Sequence, residues 1–432
     1  MRFSGRYEMK KYKLTLIASL LGIFSQAVAT NLIALIFVPL MSLYGLSFVH
    51  LGVLVGVNFG LQILTDIVFA PLIDRIGYKK LILPACAFAS LGLLLLGAVP
   101  LFSEYAFYVM LAATGIFAAA CGLTEILLSP MVTAMDSDRG RYVSLLHSAY
   151  AWGQVITVIL TTGLLALLGS ERWYLIPVMW ALLPAVCFFM FARAPFPPAI
   201  PEQKRTRTGT VMRSPVFVLL LTAIFFGAAA EVTVNQWASV FAEKALGMDK
   251  ATGDLLCMCG FAAAMGAGRL LYSIKGGGKN LSRILFFSAV GAFACYVTAA
   301  LSPNSAVCTA AFILCGLCTA LLWPGTALIA SDSFPAAGSW LYASLAVFGD
   351  TGAAVIPLIT GTMADAFGEG AGAGLAAALG VSAEQGGLGL ALLVSAAVPM
   401  LCALSHYVLA KVRSGGKHRG GTGSADGYDT AP

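Results

Sequence analysis

The sequence predicts an all-α membrane protein of twelve transmembrane helices in two pseudo-symmetric six-helix bundles. Three observations carry that prediction. Of 432 residues, 59% are hydrophobic and 11% are charged, against about 25% charged in a typical soluble domain. The apolar residues fall into about a dozen runs, each near the roughly 20 residues a helix needs to cross a bilayer. The runs divide six and six about a basic, proline-rich segment, and the two sets share a sequence pattern.

Residues 1–13 are a basic start. The first apolar run begins near Lys13 and is too long for the core of a cleavable signal, so it reads as a span. An N-terminal bundle of six spans covers 14–193, near 14–43, 49–73, 80–101, 105–135, 142–169 and 173–193. Residues 194–214 hold Pro195, Pro197, Pro198 and Pro201, then Lys204, Arg205, Arg207 and Arg213. Proline and dense charge cannot continue a membrane helix, so this is a linker. The C-terminal bundle covers 215–411, with spans near 215–245, 250–274, 281–301, 305–331, 338–366 and 387–411. Residues 368–387 are Gly/Ala-rich and external. The tail, 412–432, is Gly-rich and expected to be disordered.

This topology puts all but three of the 26 Lys and Arg on one side, the exceptions being Arg172, Lys244 and Lys250. The positive-inside rule then makes both termini and the linker cytoplasmic, in a plasma or inner membrane. The net charge of +6 is accordingly topological and in contact with anionic headgroups rather than with nucleic acid. The ten cysteines lie almost all in apolar segments. Cys315-x-x-Cys318 has no second such pair and no nearby histidine, so these read as small packing residues. No metal or cofactor is expected.

The halves repeat. Cys121-Gly122-Leu123, Leu127-Leu128, Pro130 and Ser137-Asp138 recur 194 residues later as Cys315-Gly316-Leu317, Leu321-Leu322, Pro324 and Ser331-Asp332. Gln154 of span 5 aligns with Asp350 of span 11. Between spans 2 and 3 stands Ala70-Pro71-Leu72-Ile73-Asp74-Arg75-Ile76-Gly77-Tyr78-Lys79-Lys80. Two six-span repeats about a basic linker, with this loop, resemble the major facilitator superfamily. That family carries Gly-x-x-x-Asp-Arg-x-Gly-Arg-Lys there; here Ala70 and Tyr78 replace the first Gly and an Arg. The resemblance implies a gating clamp of Asp74, Arg75 and Gly77, since a carboxylate and guanidinium at a helix end can hold neighbouring helices in one conformation and release them in another. Gly266-Ala267-Gly268-Arg269 is similar to a degenerate second copy, which adds Arg269 to the gating set.

A charge at mid-bilayer costs about 2.5–3.5 kcal/mol on insertion scales, so buried polar groups should face a cavity or a partner. Four acidic residues lie away from loops: Asp66, Glu125, Glu231 and Asp350. Glu231 and Asn235 share one face of span 7. With Gln236 and Trp237 they offer carboxylate, amides and an aromatic plane, a set suited to a hydroxyl-rich solute. Phe226 to Val232 also resembles span 7 of the fucose/glucose/galactose:proton symporter branch of the superfamily. That resemblance implies proton coupling at a span-4 carboxylate, here Glu125. The span-1 aspartate of that branch is absent; Gln26 and Asn31 are the amides there. Span 2 bears Asn58, Gln62 and Asp66 on one face. Asn58 and Gln62 are assigned to the solute path and Asp66 to gating. No Lys or Arg is expected at mid-depth, so Asp350 is read as protonated or as a second coupling residue.

Walker, His-Glu-x-x-His and nucleophile-elbow patterns are missing, so no enzyme is expected. The expected function is secondary transport of a small polar solute, a sugar first, by a monomer using alternating access. Glu231, Asn235, Gln236, Trp237, Gln154, Asn31, Asn58 and Gln62 would bind it, and Glu125 with Asp350 would carry a proton. Transport of amino acids, organic acids or drugs is the alternative within the class. A non-transporting sensor or scaffold is the alternative outside it.

Overall fold

The computed structural model describes residues 11–46, 48–135, 139–197, 208–275, 281–337, 339–368 and 371–419. The extreme N-terminus, the middle of the linker, the Gly276–Lys279 turn and the end of the tail lie outside the described residues, as does the Asp74 side chain. Among the described residues the chain is helical and has no strand.

Twelve helical spans follow in chain order: α1 Lys13–Tyr44, α2 Phe48–Ile76, α3 Tyr78–Gly97, α4 Ala106–Thr133, α5 Arg139–Leu168, α6 Leu175–Arg193, α7 Pro215–Val240, α8 Gly260–Lys275, α9 Leu281–Leu301, α10 in two pieces (Ser305–Thr319 and Leu322–Ser333), α11 Ser339–Gly368, and α12 also in two pieces (Ala383–Ser395 and Ala397–Arg419). Eleven are long and apolar enough to cross a bilayer, and the described part of α2 holds a shorter apolar stretch, Gly56–Phe69. The Gly/Ala-rich segment after α11 forms a short helix, Ala371–Leu379. The last helix runs to Arg419, beyond the expected end at 411.

Leu64, Leu182, Phe287 and Leu358 are each more than half exposed. In water such an apolar surface would drive association; against lipid it is solvated. The packed interior forms two main apolar clusters in each half. One cluster in the first half also takes in Ala343 and Ala346 of α11, and one in the second half takes in Ala151 of α5. Small residues on these two helices let the halves approach closely.

The Cys-Gly-Leu repeat has a structural cause. A Cβ on Gly122 would sit 2.8 Å from the Gln62 carbonyl and 3.0 Å from its Cα. A Cβ on Gly316 would strike the Phe261 carbonyl. Glycine therefore lets α4 meet the backbone of α2, and α10 meet the start of α8, in the same way in each half. The repeated proline acts about two turns further on. Pro324 lacks the N–H that would bond the Ala320 carbonyl, and α10 breaks at that point.

Candidate functional site

The Ala320 carbonyl released by Pro324 is taken by Arg269 of α8, whose Nε donates to it at 2.7 Å. The same guanidinium donates from Nη1 to the His147 carbonyl of α5 at 3.0 Å. Its Nη2 contacts both carboxylate oxygens of Glu231, at 2.9 and 2.8 Å. Arg269 is 3% exposed and Glu231 13% exposed at the side chain. One cation thus ties α5, α7, α8 and α10 together. The expectation that no cation reaches mid-depth is overturned here. Arg269 starts less than two turns from the end of α8, but its long side chain carries the charge inward to carbonyls that the helix break frees.

Hydrogen bonds crossing between the halves gather toward the end of the molecule that bears the linker. Ser144 donates to the Arg269 carbonyl at 2.6 Å, and Ser148 to the Gly266 carbonyl at 2.9 Å. Tyr342 donates to Thr133 at 3.0 Å. Trp152 lies over Gly266, where a Cβ would come 3.0 Å from its indole nitrogen. Deeper in, Gln154 donates to Asn235 at 3.2 Å. Two of the expected solute-binding residues, from opposite halves, therefore meet directly.

A second polar group lies on the first-half side. Gln26 of α1 donates to a carboxylate oxygen of Glu125 at 2.7 Å. Tyr150 of α5 lies near the Asn31 side chain and stands within electrostatic reach of both Glu125 and Glu231. Asn31 also donates to the Ala27 carbonyl of its own helix. Glu125, Tyr150 and the Glu231–Arg269 pair thus stand within electrostatic reach of one another in turn, from α4 across α5 to α7 and α8.

Asp66 and Asp350 are buried. Asp66 is within electrostatic reach of Asp350 and Glu125, although they come from α2, α11 and α4. The remaining candidates are placed differently. Gln62 donates to the Asn58 side chain at 3.1 Å, and both are buried against neighbouring helices. Trp237 donates to the Pro357 carbonyl at 3.1 Å and lies against Gly361, so its ring is held by α11 of its own half. Gln236, one residue round the helix from Asn235, is exposed. Arg75 is exposed, and Gly77 takes a left-handed φ of 90° at the turn into α3. Sequence reasoning did not select Gln26, Tyr150, Ser144 or Ser148. For Tyr150 the available signal was its place one turn from Gln154 on the same helix.

No curated protein sequence matches the chain. Among solved structures it is similar to a variant of the E. coli fucose:proton symporter FucP, at 17% identity over 93% of this chain and 99% of that one, with a TM-score of 0.72. FucP in the outward conformation superposes with a TM-score of 0.71, at 17% identity over 93% and 98%. The proton:xylose symporter XylE, bound to 6-bromo-6-deoxy-D-glucose, gives 0.73 at 16% identity over 92% and 95%. At these identities the likeness concerns the fold. The family model of the Major Facilitator Superfamily matches residues 19–357, and the chain belongs to that superfamily.

Proposed function

We propose that this protein is a secondary transporter that moves a small hydroxylated solute, a sugar first, together with a proton, by alternating access. The observation that carries the reading is the polar chain from Glu125 through Tyr150 to Glu231 and Arg269, which runs between the halves instead of toward lipid. Such groups are expensive in a bilayer and persist where they bind something. Family membership supports transport. The named sugars and protons of FucP and XylE support the solute class and the coupling ion.

In this reading the basic linker side is cytoplasmic, and the bonds gathered there hold that side closed. Solute enters from the opposite side to the level of Gln154, Asn235 and Glu231. Its hydroxyls replace the direct Gln154–Asn235 bond, with Asn31 and Tyr150 within the same layer. Glu125 carries the proton, held by the Gln26 amide. Solute and proton together change the relative stability of the two orientations: the solute contacts groups drawn from both halves in only one of them, and the proton removes the charge of Glu125, which stands within electrostatic reach of Asp350 across the interface. Arg269 acts as the closing residue of the second half: three of its four bonds are made within that half, and the fourth reaches His147 across the interface.

A thermal-shift panel on purified protein tests the solute class. Hexoses, pentoses and polyols are expected to raise the unfolding temperature dose-dependently, since a ligand bound only to the native state stabilises it. A shift confined to amino acids, organic acids or lipophilic cations would overturn the sugar reading.

A further inference from the structure

We propose that Asp66 and Asp350 form a second proton-binding site, one that latches the two halves together on the linker side. The proposal rests on the transporter reading for its purpose, but its geometry stands by itself.

The placement follows from packing. The contact of Gln62 with Gly122 fixes α2 against α4. One turn toward the linker side of that contact come Asp66 on α2 and Glu125 on α4. α11 packs on α2 from the other half and brings Asp350 to the same level, within electrostatic reach of both. Asp66 is 0% exposed, and neither of its carboxylate oxygens has a hydrogen-bond partner. Asp350 is 7% exposed, and its Oδ2 has none. The titratable groups facing the pair are Glu125, and behind it Tyr150 and Cys121. Arg269 is engaged by Glu231 and by two carbonyls, while Arg75, Lys79 and Lys80 are exposed at the linker-side end. Among the described residues, the pair therefore has no cation to compensate it.

Two ionised carboxylates with no donor and no cation are costly to hold within electrostatic reach of each other in an apolar interior. With a proton on one of them they no longer repel. Among the described residues, no group of three His, Cys, Asp or Glu is placed to hold a metal ion, and a proton is the ligand that removes carboxylate charge without needing further donors. Because one carboxylate belongs to each half, loss of that proton pushes the halves apart where α2 meets α11. Protonation then favours the closed linker side and deprotonation the open one. Glu125 lies within a single half-bundle with its Gln26 partner; the Asp66–Asp350 pair spans the interface.

The test reads conformation and needs no solute. Fluorophores are attached through unnatural amino acids at positions 80 and 283, exposed at the linker-side ends of the two halves, leaving the ten native cysteines unmodified. Energy transfer is followed from about pH 5 to about pH 9, where one linked proton changes the open-to-closed ratio by up to about tenfold per pH unit. The expected result is loss of transfer with rising pH in the wild type, retained in Glu125→Gln and abolished in Asp66→Asn/Asp350→Asn, which stays closed throughout. Each single Asn variant also removes the repulsion and gives the same closed readout if the double variant does not fold. A pH-independent wild type, a wild-type response surviving in the Asn variants, or a response to Na+ at constant pH would overturn the proposal. None of these outcomes bears on whether Glu125 drives uptake of a sugar.

Discussion

Replacing Arg269 separates what holds the second half together from what closes the interface. Arg269→Ala leaves Glu231 buried without its cation, and breaking a buried ion pair from one side costs about 3–5 kcal/mol. Glu231 and Arg269 sit on α7 and α8 of the same half, so most of that cost appears in every conformation. Converted at about 2–4 °C per kcal/mol for a unit of 150–250 residues, it lowers Tm by about 6–20 °C. Of the bonds made by the Arg269 guanidinium, the one to the His147 carbonyl crosses between the halves. A hydrogen bond to a charged group is worth about 1.5–3 kcal/mol, so the closed-to-open ratio shifts by roughly tenfold to a hundredfold. The assay is thermal unfolding reported by a thiol-reactive dye, since most of the ten cysteines are buried. A double variant, Arg269→Met/Glu231→Gln, removes both charges and is expected to recover most of the loss, as replacing both members of a buried pair is often neutral. A Tm drop for Arg269→Ala under about 2 °C, or a double variant that loses as much as the two singles together, would refute the reasoning.

Three further outcomes follow from the same geometry. Gly316→Val drives a side chain into the Phe261 backbone, an overpacking that costs about 1–3 kcal/mol; Gly163→Ala, with nothing within 4 Å of its added Cβ, should leave Tm unchanged or slightly raised. Pro324→Ala restores an N–H that competes for the Ala320 carbonyl, so Arg269 loses one of its anchors; Tm should change little, while the closed linker side becomes less populated in cross-linking. Ser144→Ala/Ser148→Ala removes two bonds between the halves, each worth about 0.5–1.5 kcal/mol; linker-side accessibility to a soluble thiol reagent should rise with no loss of Tm beyond that sum.

The helices, their division into two repeats and the depth of the acidic residues were legible because they depend on one dimension, the run of apolar residues along the chain. The repeated Gly122/Gly316 and Pro130/Pro324 were visible as identities, yet their purpose needed the second dimension, which helix each one touches. Arg269 was legible as a motif remnant and misplaced in depth, because sequence locates a Cα and an arginine charge can sit several ångströms away from it. Trp237 looked free to stack on a sugar, but its N–H found the Pro357 carbonyl on α11. Asp66 and Asp350 are far apart in the chain and carry no shared motif, so nothing in one dimension pairs them. Gln26 escaped selection because nothing along the chain sets it apart from Asn31, the other amide of its span, until Glu125 stands opposite it.

The most direct measurement is proton movement during solute addition. Proteoliposomes carry an internal pH-sensitive dye, and the solute identified by thermal shift is added outside. The account predicts prompt internal acidification with the wild type. With Glu125→Gln it predicts no acidification and no accumulation against a gradient, while exchange of labelled for unlabelled solute continues. Solute entry by the wild type without proton movement, or an undiminished proton signal in Glu125→Gln, would contradict it.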